Sequence, residues 1–447
     1  MLARDGHDVT LFERDATPLP ADPDEAFHWE RRGAPQVRHS HAFLARGRNL
    51  VRDRLPDVRE ALLRAGVTEV GWADMVPETI TDRSPQPGDE DLVMLACRRT
   101  TFEWTLRKVA LDAHGVDLRD GVGVTGLLME GTHVIGVRTD RGDERADVIV
   151  DATGRPSRLI TMLSDAGVDI PEQKSDTGIV YLSRFYRLRA EAPNAMPFNG
   201  ADLGYMKYAL FRGDNNTFSI TLAHATDDDE MRDLRDAARF DAAIMLVETL
   251  RSWADSAVSE PISDLHYMGG LINRIRHFVT PTGQPLVTGL FAVGDSSVCT
   301  NPLYGRGCSL GLVHGALLAD ELRDDDDPCR AQVAFDDATK RELVPWYEAS
   351  VAQDRVNAQV ARGEQLSDVD EYVRSAVSDG FFYLARTDAD VSRAWTRSFN
   401  LLTPPYAMLT DQTIMPRVID AWEKRGERSP EPLPGPDRET FLQQVHS

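Results

Sequence analysis

Between Phe291 and Leu322 the chain reads FAVGDSSVCTNPLYGRGCSLGLVHGALLADEL. Few folds accommodate such a segment. The apolar FAV run reads as a strand, which puts Gly294 and Asp295 at its C-terminal end. Pro302 and the glycines at 305, 307 and 311 then open a helix, predicted over Gly311–Leu322. A turn of this kind aims free backbone N–H groups and the positive end of a helix at an electron-rich acceptor. Asp295 is placed to bind a polyol hydroxyl. Too many special residues fall at fixed offsets for a plain strand–turn–helix.

Two shorter motifs precede it. DVTLFERD (Asp8–Asp15) is a short apolar strand ending in Glu13, after a helix turn stopped by Gly6. A carboxylate at such a strand end can accept hydrogen bonds from both ribose hydroxyls of a dinucleotide. DATG (Asp151–Gly154) follows the apolar VIV, and its small residues let a ligand or a backbone approach closely. Each of these is weak alone.

Around the motifs, the apolar spacing of Ala42–Ala65 predicts a helical segment split in two at Pro56. A further helix is predicted over Thr101–His114, then strands through ADVIVDATG. Residues 178–224 read as strand-rich, Ala237–Ala254 as helical, and the chain beyond 326 as mostly helical with a loose Pro/Glu-rich tail from 426. The β–α–β units, the antiparallel block and the returning strand together predict an α/β (α+β) fold. In it one Rossmann-like nucleotide-binding domain carries an inserted sheet domain.

Composition narrows the function. Lys and Arg number 50 and Asp and Glu 72, a net charge of −22. Such a chain repels nucleic acid and anionic lipid. Its acidic runs, around Asp227–Glu230 and Asp324–Asp327, read as solvated surface. No run of about 18 apolar residues is present, so no membrane span is predicted. No secretory leader is recognisable, and four cysteines make no disulfide framework, so a reducing, cytoplasmic setting is expected. Cysteines 97, 299, 308 and 329 form no C-x-x-C, which argues against a disulfide reductase. His39 and His41 (H-S-H) lack a third ligand at metal spacing, so no metal is expected there. No G-x-S-x-G elbow supports a hydrolase.

The three motifs in this order resemble the single-component FAD-dependent monooxygenase superfamily, the aromatic hydroxylases with the squalene- and polyether-epoxidase-like enzymes. RRGAPQVRHSHAFL, DTGIVYLSRFYRL and NPLYGRG carry the likeness further. The resemblance implies a FAD-binding domain in two parts, 1–170 and 286–325. A substrate-binding β-sheet domain would occupy 171–285 and a C-terminal helical region and tail 326–447. It implies that Glu13 and Arg14 meet the adenosine ribose, and that Arg31 and Arg99 meet FAD phosphates or ribityl. Val124 would give backbone contact to adenine, and Asp295 would bind the ribityl–pyrophosphate part. The Gly305–Cys308 backbone would lie beside the flavin pyrimidine ring. Asp151, Gly154, Pro302 and Gly307 complete the implied cofactor residues.

The implied activity is epoxidation or hydroxylation of an apolar alkene or aromatic compound, with O₂ activated as a flavin C4a-hydroperoxide. NAD(P)H would supply electrons, directly or through an external flavin reductase. Tyr181, Phe185, Tyr205, Met206, Tyr208, Phe211 and Phe218 would furnish an apolar pocket wall. A catalytic acid or base is not identifiable. Alternatives are a FAD-dependent reductase or dehydrogenase without oxygen chemistry, and a truncated, inactive flavoprotein-like chain. Halogenation is disfavoured, because no W-x-W-x-I-P tract is present. The opening strand with G-x-G-x-x-G typical of the superfamily is expected upstream of Met1. GVGVTG (Gly121–Gly126) matches that pattern but leads into a strand, which leaves a phosphate no helix N-terminus.

Overall fold

The computed structural model describes residues 1–113, 115–193, 198–324, 327–429 and 434–446. Val9–Glu13 pairs in parallel with Val116–Asp120, Glu13 opposite Asp120. Leu290–Ala292 pairs in parallel with Ile149–Asp151. Among the described residues each is a two-stranded sheet, and Leu11 stays 43% exposed. GVGVTG enters the strand Val124–Glu130, the edge of a three-stranded antiparallel sheet, so the match to a dinucleotide fingerprint is fortuitous as expected.

The largest sheet has six strands. Its order is Phe198–Asp202, Lys207–Arg212, Thr217–Ala225 and Ile179–Leu188, with Ser259–Pro261 and His266–Met268 both on the far side of the last. Every pairing is antiparallel. Period-two alternation divides its residues between two faces. Leu182, Tyr186, Tyr208, Leu210, Phe218, Ile220 and Leu222 face the helices Ala237–Met245 and Glu248–Ala254, where Phe240, Leu250 and Trp253 complete a dry core. Tyr208, Phe218 and Met206 are therefore core residues rather than a pocket wall, whereas Tyr181 and Phe211 lie on the opposite face. That face carries Ser183, Ser219 and Thr221. A further three-stranded sheet joins Val298–Cys299, Ile272–Arg276 and Glu172–Asp176.

Helix boundaries differ instructively from the expectation. Pro56 does divide Ala45–Arg54 from Pro56–Arg64. The predicted Thr101–His114 helix runs Arg99–Leu111, so Arg99 is its first residue; His114 is outside the described residues. The helix predicted from Gly311 begins at Gly307 and runs to Asp324, because glycine is tolerated in a first turn. Asp325 and Asp326 of the second acidic run are outside the described residues. The expected loose tail ends instead in a helix, Arg438–His446. Its Phe441 and Val445 enter the large sheet's core, and Arg438 pairs with Asp228 at 2.8 Å. Two apolar side chains four residues apart suffice to dock it.

Candidate functional site

The first and third motifs are joined by an alternating chain of charges. Arg31 Nη2 donates to Glu13 Oε2 at 3.1 Å, and Arg31 Nη1 to Glu103 Oε2 at 3.0 Å. Arg99 Nε donates to Glu103 Oε1 at 2.7 Å, and Arg99 Nη1 lies 2.6 Å from Cys308 Sγ. Glu13 also accepts from the Asp15 N–H, which fixes the strand end. The Arg31 guanidinium stacks over Trp29 at 4.8 Å, and its Nε is buried without a partner. Beside Glu13, Arg14, Thr17, Glu30 and Arg32 line an open hollow of ≈ 300 Å³. Val122 N–H donates to the Glu13 carbonyl, which brings the start of the Val124 strand to the same end. Sequence reasoning missed Glu103, although its position four residues after Arg99 on a helix was a usable signal.

Behind Asp295 the turn is clamped through its backbone. Gly294 adopts φ 60° and its N–H donates to His314 Nδ1 at 3.0 Å. Thr339 commits its hydroxyl proton to the Phe335 carbonyl, so His314 Nε2–H donates to Thr339 Oγ1 at 2.9 Å. His314 is thereby a neutral ring of fixed tautomer, and burial lowers its pKa to about 3. Arg274 donates to the Asp295 and Arg155 carbonyls, and Arg276 to the Ser296 carbonyl. Burial raises the pKa of the Asp295 carboxyl against the opposing pull of Arg99, Arg155 and Arg274. A Cβ at Gly307 would sit 4.0 Å from its Oδ1.

The turn after it is held from the C-terminal helical region. Asp354, buried on the helix Val344–Ala361, accepts from Asn273 Nδ2, Asn301 Nδ2 and Tyr304 OH at 2.7, 2.8 and 2.7 Å. Asn301 in turn caps Pro302–Tyr304 by accepting from the Leu303 N–H. Gly305 has φ 67°, and a Cβ there would lie 2.9 Å from Ala42 Cβ. Both the backbone conformation and the close approach demand glycine. Arg306 is sandwiched between Tyr304 and Trp346. The Gly307–Asp324 helix then opens beside Asp295, with Cys308 in its first turn touching Arg99.

The DATG segment plays a different part. Asp151 Oδ1 accepts from the Thr153 N–H and hydroxyl, and Oδ2 from Ser157 Oγ, so the carboxylate shapes its own turn. The Asp151 carbonyl accepts from the Val293 N–H and Ser296 Oγ, tying the turn to the Gly294 loop. Gly154 takes φ 73° in it. Glu13, Arg31, Arg99, Asp295, Gly305, Gly307 and Cys308 thus form one connected region, with Arg14 and Val124 at its Glu13 end and Pro302 on its outer rim. Among the described residues no group of three His, Cys, Asp or Glu side chains is disposed to hold a metal. No helix among them is long and apolar enough to cross a membrane.

This fold is similar to those of several solved flavin-dependent proteins. The flavin-dependent brominase Bmp2 superposes with a TM-score of 0.58 at 16% identity, over 94% of this chain and 99% of that one. The flavin-dependent halogenase CmlS gives 0.59 at 14% identity, over 89% and 73%. PqsL of Pseudomonas aeruginosa, described as a probable FAD-dependent monooxygenase, gives 0.54 at 14% identity, over 83% and 93%. Among curated sequences, Protein Rv3254 of Mycobacterium tuberculosis is 26% identical over 446 residues, spanning 92% of this chain and 88% of the relative. No family model matches.

Proposed function

We propose that this chain is a FAD-dependent monooxygenase that inserts one oxygen of O₂ into an apolar alkene or aromatic substrate by epoxidation or hydroxylation. The observation that carries the proposal is the chain of ion pairs Glu13–Arg31–Glu103–Arg99, which reaches the neutral Cys308 thiol at a glycine turn and a helix N-terminus. An elongated ligand with a ribose at one end and phosphates in the middle matches that order of groups. Glu13 would accept the ribose hydroxyls, with Arg14 and the Val124 backbone around the adenosine. Phosphate oxygens would draw Arg31 and Arg99 away from Glu103. Asp295 would take a ribityl hydroxyl, and the Gly305–Cys308 backbone would lie along the ring edge. Pro302, Gly307, Asp151 and Gly154 would shape the two turns.

Bound FAD supplies reduction by NAD(P)H, directly or through a separate reductase, and activation of O₂. The protein's own task is to hold the substrate against the ring and keep water out. The Gly305 turn packed on Ala42 would close one side of that space. The lack of a W-x-W-x-I-P tract favours oxygen transfer over halogenation.

The test titrates the purified chain with FAD by quenching of flavin fluorescence, then follows NADH or NADPH oxidation with O₂ uptake. E13A and R99A are expected to weaken FAD binding at least tenfold. Saturating FAD without fluorescence change, or equal affinity in both variants, would refute the site. Turnover that persists without O₂ would replace the monooxygenase by a reductase.

A further inference from the structure

Asn273, Asn301 and Tyr304 aim their donors at one buried carboxylate. The Asn273 amide oxygen accepts from the Asn301 N–H at 2.7 Å, and the Asn301 amide oxygen from the Leu303 N–H at 2.9 Å. With both oxygens committed, each amide NH₂ is left to donate to Asp354, Asn273 to Oδ2 and Asn301 to Oδ1. Tyr304 OH donates to Oδ1 as well. Burial raises the Asp354 pKa, and these hydrogen bonds oppose that shift, with the Arg306 cation adding to them. Asp354 shares one face of the helix Val344–Ala361 with Trp346 and Ser350, at successive spacings of four. Ser350 Oγ accepts from Arg306 Nη1 at 3.0 Å, and Trp346 lies against the Arg306 guanidinium. One helix face therefore grips Asn301 and Tyr304 on one side of Gly305 and Arg306 on the other. Gly305 itself is left-handed, with φ 67°, so the course of the backbone from Gly305 to Cys308 depends on what holds its flanks.

We propose that Asp354 is a positioning residue for the flavin. It acts through the turn rather than on the ligand: its carboxylate sets where the Gly305–Cys308 backbone is presented. The assignment rests on the FAD reading of that turn, and it gives the C-terminal helical region a part in the site. Only a group that accepts at both oxygens satisfies all the converging donors. In D354N the amide oxygen can keep Asn301 and Tyr304, but the new NH₂ then meets the Asn273 NH₂. Asn273 can turn its amide to relieve this only by withdrawing its oxygen from the Asn301 N–H. Either response leaves a buried donor unmatched beside the turn and shifts it. Exchanging the two residues removes the conflict. In N273D/D354N the amide at 354 donates to the carboxylate at 273, whose other oxygen still accepts from the Asn301 N–H, so every hydrogen bond has a counterpart.

The test titrates the full chain and the variants D354N, N273D and N273D/D354N with FAD by flavin fluorescence. The visible circular dichroism of the bound flavin and the melting temperature are recorded for each. D354N is expected to bind FAD about tenfold more weakly and to alter the flavin dichroism at saturation. N273D, which sets one carboxylate against another, is expected to bind more weakly still. N273D/D354N should restore the dichroism and bring the affinity to within about threefold of the parent. If D354N does not fold, Y304F decides: it removes one donor and no charge, and should weaken FAD binding about threefold and alter the dichroism with little change in melting temperature. Variants that lose melting temperature yet keep the parent's FAD affinity and dichroism would make Asp354 a support of the fold only and overturn the assignment. A double variant no better than D354N overturns it equally. A parent chain that binds no FAD sinks the monooxygenase reading and this assignment together, whereas a parent that binds it beside unaffected variants sinks the assignment alone.

Discussion

Asp214→Leu should be among the most destabilising single changes in this protein. Asp214 sits in the tight turn between Lys207–Arg212 and Thr217–Ala225, with its carboxylate fully buried against the start of the Arg99 helix. It accepts from Arg98 N at 2.7 Å, Nε at 3.1 Å and Nη2 at 2.6 Å, and from Thr101 Oγ1 at 2.8 Å. The Arg98 side chain is 1% exposed, and without Asp214 its only remaining ion-pair partner among the described residues is Asp24 at 3.1 Å. Removing one partner of a buried pair costs about 3–5 kcal/mol, because an unpaired cation and orphaned donors remain. At about 2.1 cal/mol/K per residue, a chain of 447 residues melting as a unit would lose about 4 °C in Tm. Differential scanning calorimetry and urea midpoints measure this. The double variant R98M/D214L removes both charges and should recover most of the loss. A D214L penalty below about 1 kcal/mol, or a double variant worse than the single, would refute the argument that the ion pair's burial sets the cost. Arg98 adjoins Arg99, so the same turn couples the large sheet to the candidate cofactor residues.

Three further outcomes follow from the geometry. Stability should fall steeply on mild acidification: His39, His41 and His314 have folded pKa values of about 3 against an ordinary 6.5, so the unfolded chain binds protons first. Their contribution is complete above pH 6.5 and lost progressively toward 3, by up to about 4 kcal/mol per pH unit; urea midpoints between pH 7.5 and 5 test it, and a flat profile contradicts it. Phe441→Ala should cost about 3–5 kcal/mol in the same assay, since its ring is fully buried in the large sheet's core; a loss no larger than at an exposed site would mean the terminal helix is not docked in solution. Gly305→Ala should weaken FAD binding well beyond any change in Tm, because a Cβ meets Ala42 at 2.9 Å and the φ of 67° disfavours alanine; unchanged affinity would remove this turn from the cofactor site.

What could be read along the chain were features contained within a few residues. Apolar alternation and the glycine and proline stops located the strands Val9–Glu13 and Leu290–Ala292, the break at Pro56 and the turn at Gly305, because these depend on backbone preferences that each residue carries with it. Glu103 was within reach of the same kind of reading. The partners that hold the site were not. Asp354 meets Asn273 across 81 positions and Asn301 across 53, and Asp214 meets Arg98 across 116. No local periodicity encodes such a pairing; only chain closure brings those groups within hydrogen-bonding distance. The large sheet shows the same division. Its aromatic residues were evident, but which of them lined a core and which faced the other way was decided by strand register, where a shift of one residue exchanges the faces. The sequence thus determined the elements and the chemical character of the motifs. The tertiary structure alone decided their company, since burial and charge pairing are properties of neighbours in space.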